Sequence, residues 1–451
     1  MSARVVILGA GPAGLTVSAA LAARGVPVVC LEAAPRAGGM MGTVRRDGFL
    51  AETGPHSFRL FGSAVPEAFA LAGLENRLLD ANMAAKNRYV TCGGRPVAAP
   101  TSPWGAATSP LLSLSGKLRF AAEPFIRRAP ADAEESVAAF VRRRLGDEAL
   151  RRLIDAVVGG IYAGDPEQLS VRHAMPALHR FDREHGSLVL GALATRAERH
   201  ARGASRIAGF PQGMAELPQA LAAKLGESLR LNAAVTALEK TPGGWRVAWR
   251  ESAGAEQAVV VERVVIAAPP GRWRELPLPG ELPGLAAAGA GVPCPPVGVV
   301  TLGYARERVE HPLDGFGVLS PGVEKRKALG VLFPSSILPG RAPDGAVTLA
   351  AFIGGARQPE LGALDEASLV RLAREECESL LGARGAPDFV NVSRWAHAIP
   401  QYDLRHGEFL ATLEAAEAAL PGLHFCGNFR GGVAVGATLD NAAALAARIA
   451  E

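Results

Sequence analysis

The chain has 451 residues, and its five cysteines (Cys30, Cys92, Cys294, Cys377 and Cys426) are scattered through it. There is no CxxC pair and no histidine at ligand spacing, which argues against a zinc centre and for reduced thiols. Net charge is only +4, with 48 basic against 44 acidic residues, too small an excess at this length for bulk nucleic-acid binding. No apolar run reaches about eighteen residues, so no segment is predicted to span a bilayer. The nine histidines are dispersed and no Ser-His-Asp or Cys-His set stands out, so hydrolytic chemistry lacks a nucleophile. Only Met1 to Arg4 precede the first apolar run, and the expectation is a cytoplasmic chain without a leader.

What is present is apolar bulk, 49% of residues, enough for two or three domains. Val5, Val6, Ile7 and Leu8 form an unbroken apolar run, as in a strand buried on both faces of a parallel sheet. The run Gly9, Ala10, Gly11, Pro12, Ala13, Gly14 follows. Its glycines allow a tight turn, close approach to a pyrophosphate and tight packing of the next helix, whose N-terminus faces the phosphate charge. A second apolar run ends on Glu32, where a carboxylate can bond a ribose hydroxyl, so FAD or NAD is favoured over NADP. Glycine-rich blocks at 36–43 and 48–58 then supply a second backbone cradle. A flavin needs one for its ribityl chain and ring; a nicotinamide dinucleotide does not.

Residues 64–82 read as one or two helices, and 88–90 as a short strand turning at Gly93 and Gly94. A Pro- and Ser-rich stretch, 96–110, marks a boundary. Leu114, Leu118, Ala121 and Phe125 fall at helical spacing among Lys117, Arg119, Arg127 and Arg128. Such a basic amphipathic segment either packs half-buried or rests on an anionic membrane surface. Asp132 and Glu135 resemble a helix cap, and 112–201 reads as a helical insertion. Trp245, Val247 and Trp249 alternate with polar residues as a half-buried strand, with 259–261 its hairpin partner. Four extended runs at 297–304, 316–319, 329–333 and 347–353 predict a mostly antiparallel sheet, and 365–381 a helix. A last strand at 423–427, a glycine turn and a helix at 439–449 return the chain to the nucleotide domain.

The N-terminal stretch resembles flavoproteins of the monoamine oxidase and phytoene desaturase superfamily. FVRRRLGDEALRRLIDAVVGGIYAGDPEQLS (140–170), GFGVLSP (315–321), FIGGARQPEL (352–361), WAHAIPQY (395–402) and GNFRGGVAVG (427–436) are similar to the protoporphyrinogen and coproporphyrinogen oxidases, in collinear order over nearly the whole chain. The resemblance implies an α/β fold. Its Rossmann-like FAD-binding domain, of the p-hydroxybenzoate hydroxylase type (1–82 with 206–275 and 385–451), is interleaved with a mixed β-sheet substrate domain (83–98 with 276–384). A helical, membrane-associating insertion occupies 99–205.

By the same resemblance FAD is held by Gly9 to Gly14 at the pyrophosphate and by Glu32 and Ala33 at the ribose. Met40 lies near the diphosphate, and Gly54, Pro55, His56 and Ser57 beside the ring. Val235 meets the adenine, and Ala398, Val433, Ala434 and Val435 close the flavin end. Arg88 pairs with a substrate propionate, Leu332 and Phe352 sandwich pyrrole rings, Leu319 lies nearby, and Gly160 offers its carbonyl over the macrocycle. The implied activity is oxygen-dependent oxidation of a porphyrinogen, with no metal and no catalytic side chain beyond the flavin. A tetracarboxylate substrate calls for more cations at the pocket mouth than a dicarboxylate, and Lys86, Arg45, Arg46 and Arg59 are near in sequence. The competing reading is an amine oxidase. It needs an aromatic cage, yet near the C-terminus only Trp395 and Tyr402 occur.

Overall fold

The computed structural model describes residues 3–62, 65–130, 133–201, 203–251, 254, 256–280 and 283–451. Five parallel strands form one sheet in the order Leu229–Arg230, Val28–Leu31, Val5–Leu8, Arg263–Ile266, Leu423–Phe425. Their apolar runs are explained by cover on both faces. Helices Pro12–Ala23 and Val435–Ala450 pack on one side, where Ile7, Leu15, Leu21, Leu439 and Leu445 share a core. The antiparallel strands Ala233–Thr241, Gly244–Glu251 and Glu256–Val261 cover the other, burying Trp245 and Val247 beside Trp273. The last helix begins at Val435, four residues before its apolar periodicity, because the glycine turn itself leads into its first turn.

The second sheet has seven strands in the order Phe389–Trp395, Val297–Ala305, Ala346–Gly354, Ala328–Leu332, Gly315–Leu319, Asn87–Cys92, Arg95–Ala98. All neighbours are antiparallel except Gly315–Leu319 with Asn87–Cys92. Phe389–Trp395 falls within 385–451, expected in the nucleotide domain, yet it pairs with Val297–Ala305 and forms this sheet's edge. Its mix of Val390 and Val392 with Asn391 and Ser393 suits a half-buried edge. Helix Glu366–Leu381, capped by Asp365 through a 2.7 Å bond from Ser368 N, covers one face through Leu369, Ala373 and Cys377. The same face presents Leu349, Ala351 and Ile353, so the even-numbered residues of that strand face the other way.

The insertion between the two passes of the chain is helical. Asp132 lies outside the described residues; helix Val137–Arg144 is capped by Ser136, while Glu135 instead pairs with Arg143 at 2.6 Å. Among the described residues no helix is long and apolar enough to cross a membrane.

Candidate active site

The first glycine turn is built as its spacing requires. Gly9 has φ +109°, and a Cβ on Gly14 would stand 1.9 Å from the Gly9 carbonyl oxygen, so strand and helix approach as closely as backbone allows. At Gly11, by contrast, a Cβ would meet nothing within 4 Å: the backbone there borders open space at a helix N-terminus. Pro12 opens the helix; Ala10 and Ala13 are buried, and Gly39 closes the turn from outside, its would-be Cβ 3.3 Å from Gly11 Cα. Glu32 accepts from Ala10 N at 2.8 Å and Ala34 N at 2.9 Å. A carboxylate has about four acceptor positions, so lone pairs remain for a sugar hydroxyl. Ala33 is exposed beside it. Val235 is brought near because Ala233 N bonds the Glu32 carbonyl oxygen at 2.8 Å, and the ladder slips register between Val235 and Ala237.

The second cradle packs directly on this one. A Cβ on Gly54 would lie 2.4 Å from the Met40 carbonyl oxygen, and Thr53 O accepts from Trp395 Nε1 at 2.6 Å. Pro55 and Ser57 flank His56, whose Nδ1 lies 2.9 Å from Gly54 O. A carbonyl only accepts, so Nδ1 carries the hydrogen and Nε2 is a bare acceptor. Burial pushes this imidazole down to about 4, and Nε2 has no hydrogen-bond partner. His56 lies edge-on to Phe352, ring centroids 5.4 Å apart. Met40, Phe352 and Trp395 pack against Ala398, joining three remote stretches of chain. Val433 packs on the insertion, Ala434 precedes the last helix, and Val435 joins the first helix's core. Tyr402 Oη pins this glycine turn, donating to Asn428 O at 2.7 Å and accepting from Gly432 N at 3.0 Å. The open backbone at Gly11, the uncommitted Glu32 lone pairs and the orphaned His56 Nε2 fit a dinucleotide flavin.

The large sheet meets this cradle through Phe352. Leu319 pairs with Gly330, which pairs with Phe352, so one cross-strand row points away from the covering helix. Leu332 lies in the next row, between Gly317 and Ala350. Gly160 sits on Leu319: a Cβ there would be 2.7 Å from Leu319 Cδ2. Its helix, Asp155–Tyr162, also leaves Val157 and Ile161 exposed one turn apart. Arg88 shares a strand face with Val90, which clusters with Leu319, and its guanidinium lies over Phe316 at 4.8 Å. Of the cations near in sequence, Arg45 is tied to Pro211 O and Arg46 to Val390 O, both at 2.8 Å and away from this row.

Glu52, just ahead of the second cradle, is 2% exposed and bonded to Thr43 Oγ1 at 2.6 Å and Met214 N at 3.0 Å. Burial pushes its carboxyl up from 4.5 to about 7, against the pull of Thr43 and Arg341. The folded chain therefore keeps a proton that the unfolded chain releases near 4.5. The stabilisation this gives in acid is lost as pH rises through about 7. Glu52→Gln should flatten that part of the profile, read as urea midpoint against pH; parallel wild-type and variant profiles would refute it.

A family model described as flavin containing amine oxidoreductase matches residues 12–450. Protoporphyrinogen oxidase 2, chloroplastic/mitochondrial, of Arabidopsis thaliana is 31% identical, the alignment covering 97% of this chain and 91% of that protein. Coproporphyrinogen III oxidase of Bacillus subtilis (strain 168) is 26% identical, covering 97% and 95%. A crystal structure from Exiguobacterium sp. 255-15 superposes with a TM-score of 0.81 at 22% identity, covering 100% of this chain and 99% of that one, and shares its fold. With two glycine cradles facing an apolar sheet and a family match across almost its whole length, the chain belongs to the flavin-containing amine oxidoreductases, alongside relatives that oxidise porphyrinogens.

Proposed function

We propose that this chain is an FAD- and oxygen-dependent porphyrinogen oxidase of heme biosynthesis, converting protoporphyrinogen IX to protoporphyrin IX. The observation that carries this reading is the row Leu319, Gly330, Phe352 under Gly160, a flat apolar wall facing the second cradle with a guanidinium, Arg88, at its edge. When bound, the flavin supplies acceptance of hydride from the methylene bridges and passage of the electrons to oxygen as hydrogen peroxide, six hydrogens over three rounds. The protein's part is positioning. Leu319, Leu332 and Phe352 hold the macrocycle flat, Gly160 offers its carbonyl over it, Arg88 takes a propionate, and neutral His56 offers Nε2 to an N–H in the slot. Residues 1–82, 206–275 and 396–451 carry the flavin; 83–98 and 276–395 carry the substrate wall.

Coproporphyrinogen III is the second reading, supported by the Bacillus relative. An amine oxidase is less well supported: Tyr402 is stacked on His406 and its hydroxyl committed, and the Trp395 indole N–H is committed to Thr53 O. The test is oxygen uptake and porphyrin fluorescence with protoporphyrinogen IX, coproporphyrinogen III and a panel of amines. Oxidation of amines alone would overturn the proposal. Arg88→Ala should raise KM about ten- to a hundredfold, the loss of a charge-assisted bond. An unchanged KM for both porphyrinogens would remove Arg88 from the site.

The insertion is the surface that meets a membrane. Trp104, Leu114, Leu118 and Phe125 are 79%, 73%, 65% and 88% exposed, so the apolar side of the helix Leu114–Ala121 faces outward. Arg119 turns the other way, bonding the Arg144 carbonyl oxygen at 3.0 Å, while Arg127 and Arg128 stay exposed. A peripheral site suits a poorly soluble substrate. Replacing Leu114, Leu118 and Phe125 by Ser should abolish pelleting with anionic vesicles at unchanged Tm; equal pelleting would count against this surface.

A further inference from the structure

Strand Phe58–Phe61 alternates cleanly. Phe58 and Leu60 are buried in the core beneath the first helix, so Arg59 and Phe61 point to the opposite side and are exposed. The Arg59 carbonyl oxygen lies 3.7 Å from where a Cβ on Gly436 would stand, at the first turn of the last helix and so at the flavin end. Three residues upstream, His56 meets Phe352. The small sheet that carries Arg59 abuts the short helix Pro334–Ile337 that follows strand Ala328–Leu332 of the large sheet: Asn82 N donates to Ile337 O at 2.8 Å, and a Cβ on Gly209 would strike Leu338 at 2.6 Å.

Two guanidiniums stand exposed on these sheets, Arg59 on the small one and Arg88 on the large one. Arg59 lies over Phe61 at 5.6 Å and donates to Ser205 Oγ at 2.9 Å; Arg88 lies over Phe316 and donates to Lys86 O at 3.1 Å. Neither has a carboxylate partner among the described residues, whereas Arg142, Arg143, Arg326, Arg357 and Arg430 each hold one. Burial, and then the Arg59 cation, hold the Arg88 guanidinium below its ordinary range, so the two are within electrostatic reach of one another. Like charges held together without a counter-ion repel, and a dianion placed between them relieves the repulsion. Each ring presents a rigid fork matched to a carboxylate, already oriented by the aromatic face beneath it.

We propose that Arg59 and Arg88 together form a carboxylate clamp at the slot mouth, Arg59 taking a second carboxylate on the same edge of a cyclic tetrapyrrole whose first is held by Arg88. This deepens the porphyrinogen reading and rests on it. The clamp reads one edge bearing two carboxylates, which dicarboxylate and tetracarboxylate macrocycles share, so Arg59 serves both and does not choose between them.

The test is binding, on the flavin-loaded protein, of protoporphyrin IX as free diacid, monomethyl ester and dimethyl ester, followed by porphyrin fluorescence. For the wild type each esterification should weaken binding about tenfold or more. Arg59→Gln should bind the diacid about tenfold or more weakly and gain indifference to one of the two esterifications, while Arg59→Lys recovers part of the loss. Affinity should also fall more steeply with added KCl in the wild type than in Arg59→Gln. Arg246→Ala, a surface change on the distant three-stranded sheet, should bind as the wild type does. Equal affinities of wild type and Arg59→Gln for the diacid would overturn the clamp and leave the porphyrinogen reading standing. Failure of the wild type to bind any of the three porphyrins would overturn both. Should Arg59→Gln lose flavin, the wild type decides alone: equal affinity for diacid and monoester refutes the clamp.

Discussion

Gly14→Ala should yield a protein that purifies without yellow colour. The added methyl would stand 1.9 Å from Gly9 O, 3.1 Å from Gly9 C and 3.2 Å from Ala267 Cβ. Two of those neighbours are backbone of the very turn that cradles phosphate, so neither can move without opening it. Overpacking of this kind costs at least about 1 to 3 kcal/mol. Here the cost falls on the strand and helix that position the pyrophosphate, so flavin affinity and Tm should drop together. Gly11→Ala separates the two effects. Its methyl meets nothing within 4 Å, so the apoprotein should fold as before, while the methyl occupies the path of the phosphate. Flavin absorbance after heat release, read beside calorimetric Tm, checks both. A fully yellow Gly14→Ala would show that the pyrophosphate lies elsewhere.

Arg144→Ala should be the most damaging change outside the flavin turn. Arg144 and Glu123 are fully buried and Asp182 is 1% exposed. Arg144 Nη1 lies 3.3 Å from Glu123 Oε1, its Nη2 meets Asp182 Oδ1, and Ile126 O accepts from Nη1 at 2.9 Å. Glu123 in turn takes Ser187 Oγ at 2.6 Å and Leu188 N at 2.8 Å, so one guanidinium ties four segments of the insertion together. Removing it leaves the buried Glu123 carboxylate without its ion-pair partner and Asp182 held by Arg143 alone, a loss of about 3 to 5 kcal/mol. Urea denaturation followed by circular dichroism should show an earlier transition of helical signal, with vesicle binding lost alongside. A shift worth less than about 1 kcal/mol would mean that water reaches the cluster.

How far the chain could be read in advance depended on how local the cause was. Val5 to Leu8 and the glycines behind them are legible because a doubly covered strand must be apolar throughout and a close helix needs glycine. The strand Phe389–Trp395 was not, since an edge strand carries Asn391 and Ser393 and loses the apolar signature. The helix Leu114–Ala121 shows the limit of periodicity. Its amphipathic pattern is real, but the apolar side is the exposed one, because Arg119 is spent on the carbonyl ends of Val137–Arg144. Likewise Leu319, Leu332 and Phe352 sit in strands with apolar residues on both faces. Composition alone therefore does not say which residues face the slot.

By itself the sequence determined the nucleotide turn, the order of the elements and the kind of cofactor, all of which follow from steric and hydrogen-bonding rules acting over a few residues. Tertiary structure alone decided the site. The strand register puts Gly330 between Leu319 and Phe352, and tertiary contacts tie Arg45 to Pro211 O and Arg46 to Val390 O. The physical reason is that a side chain's neighbours across a sheet are set by hydrogen-bond pairing between distant segments, and that pairing leaves no trace in the spacing of residues along the chain.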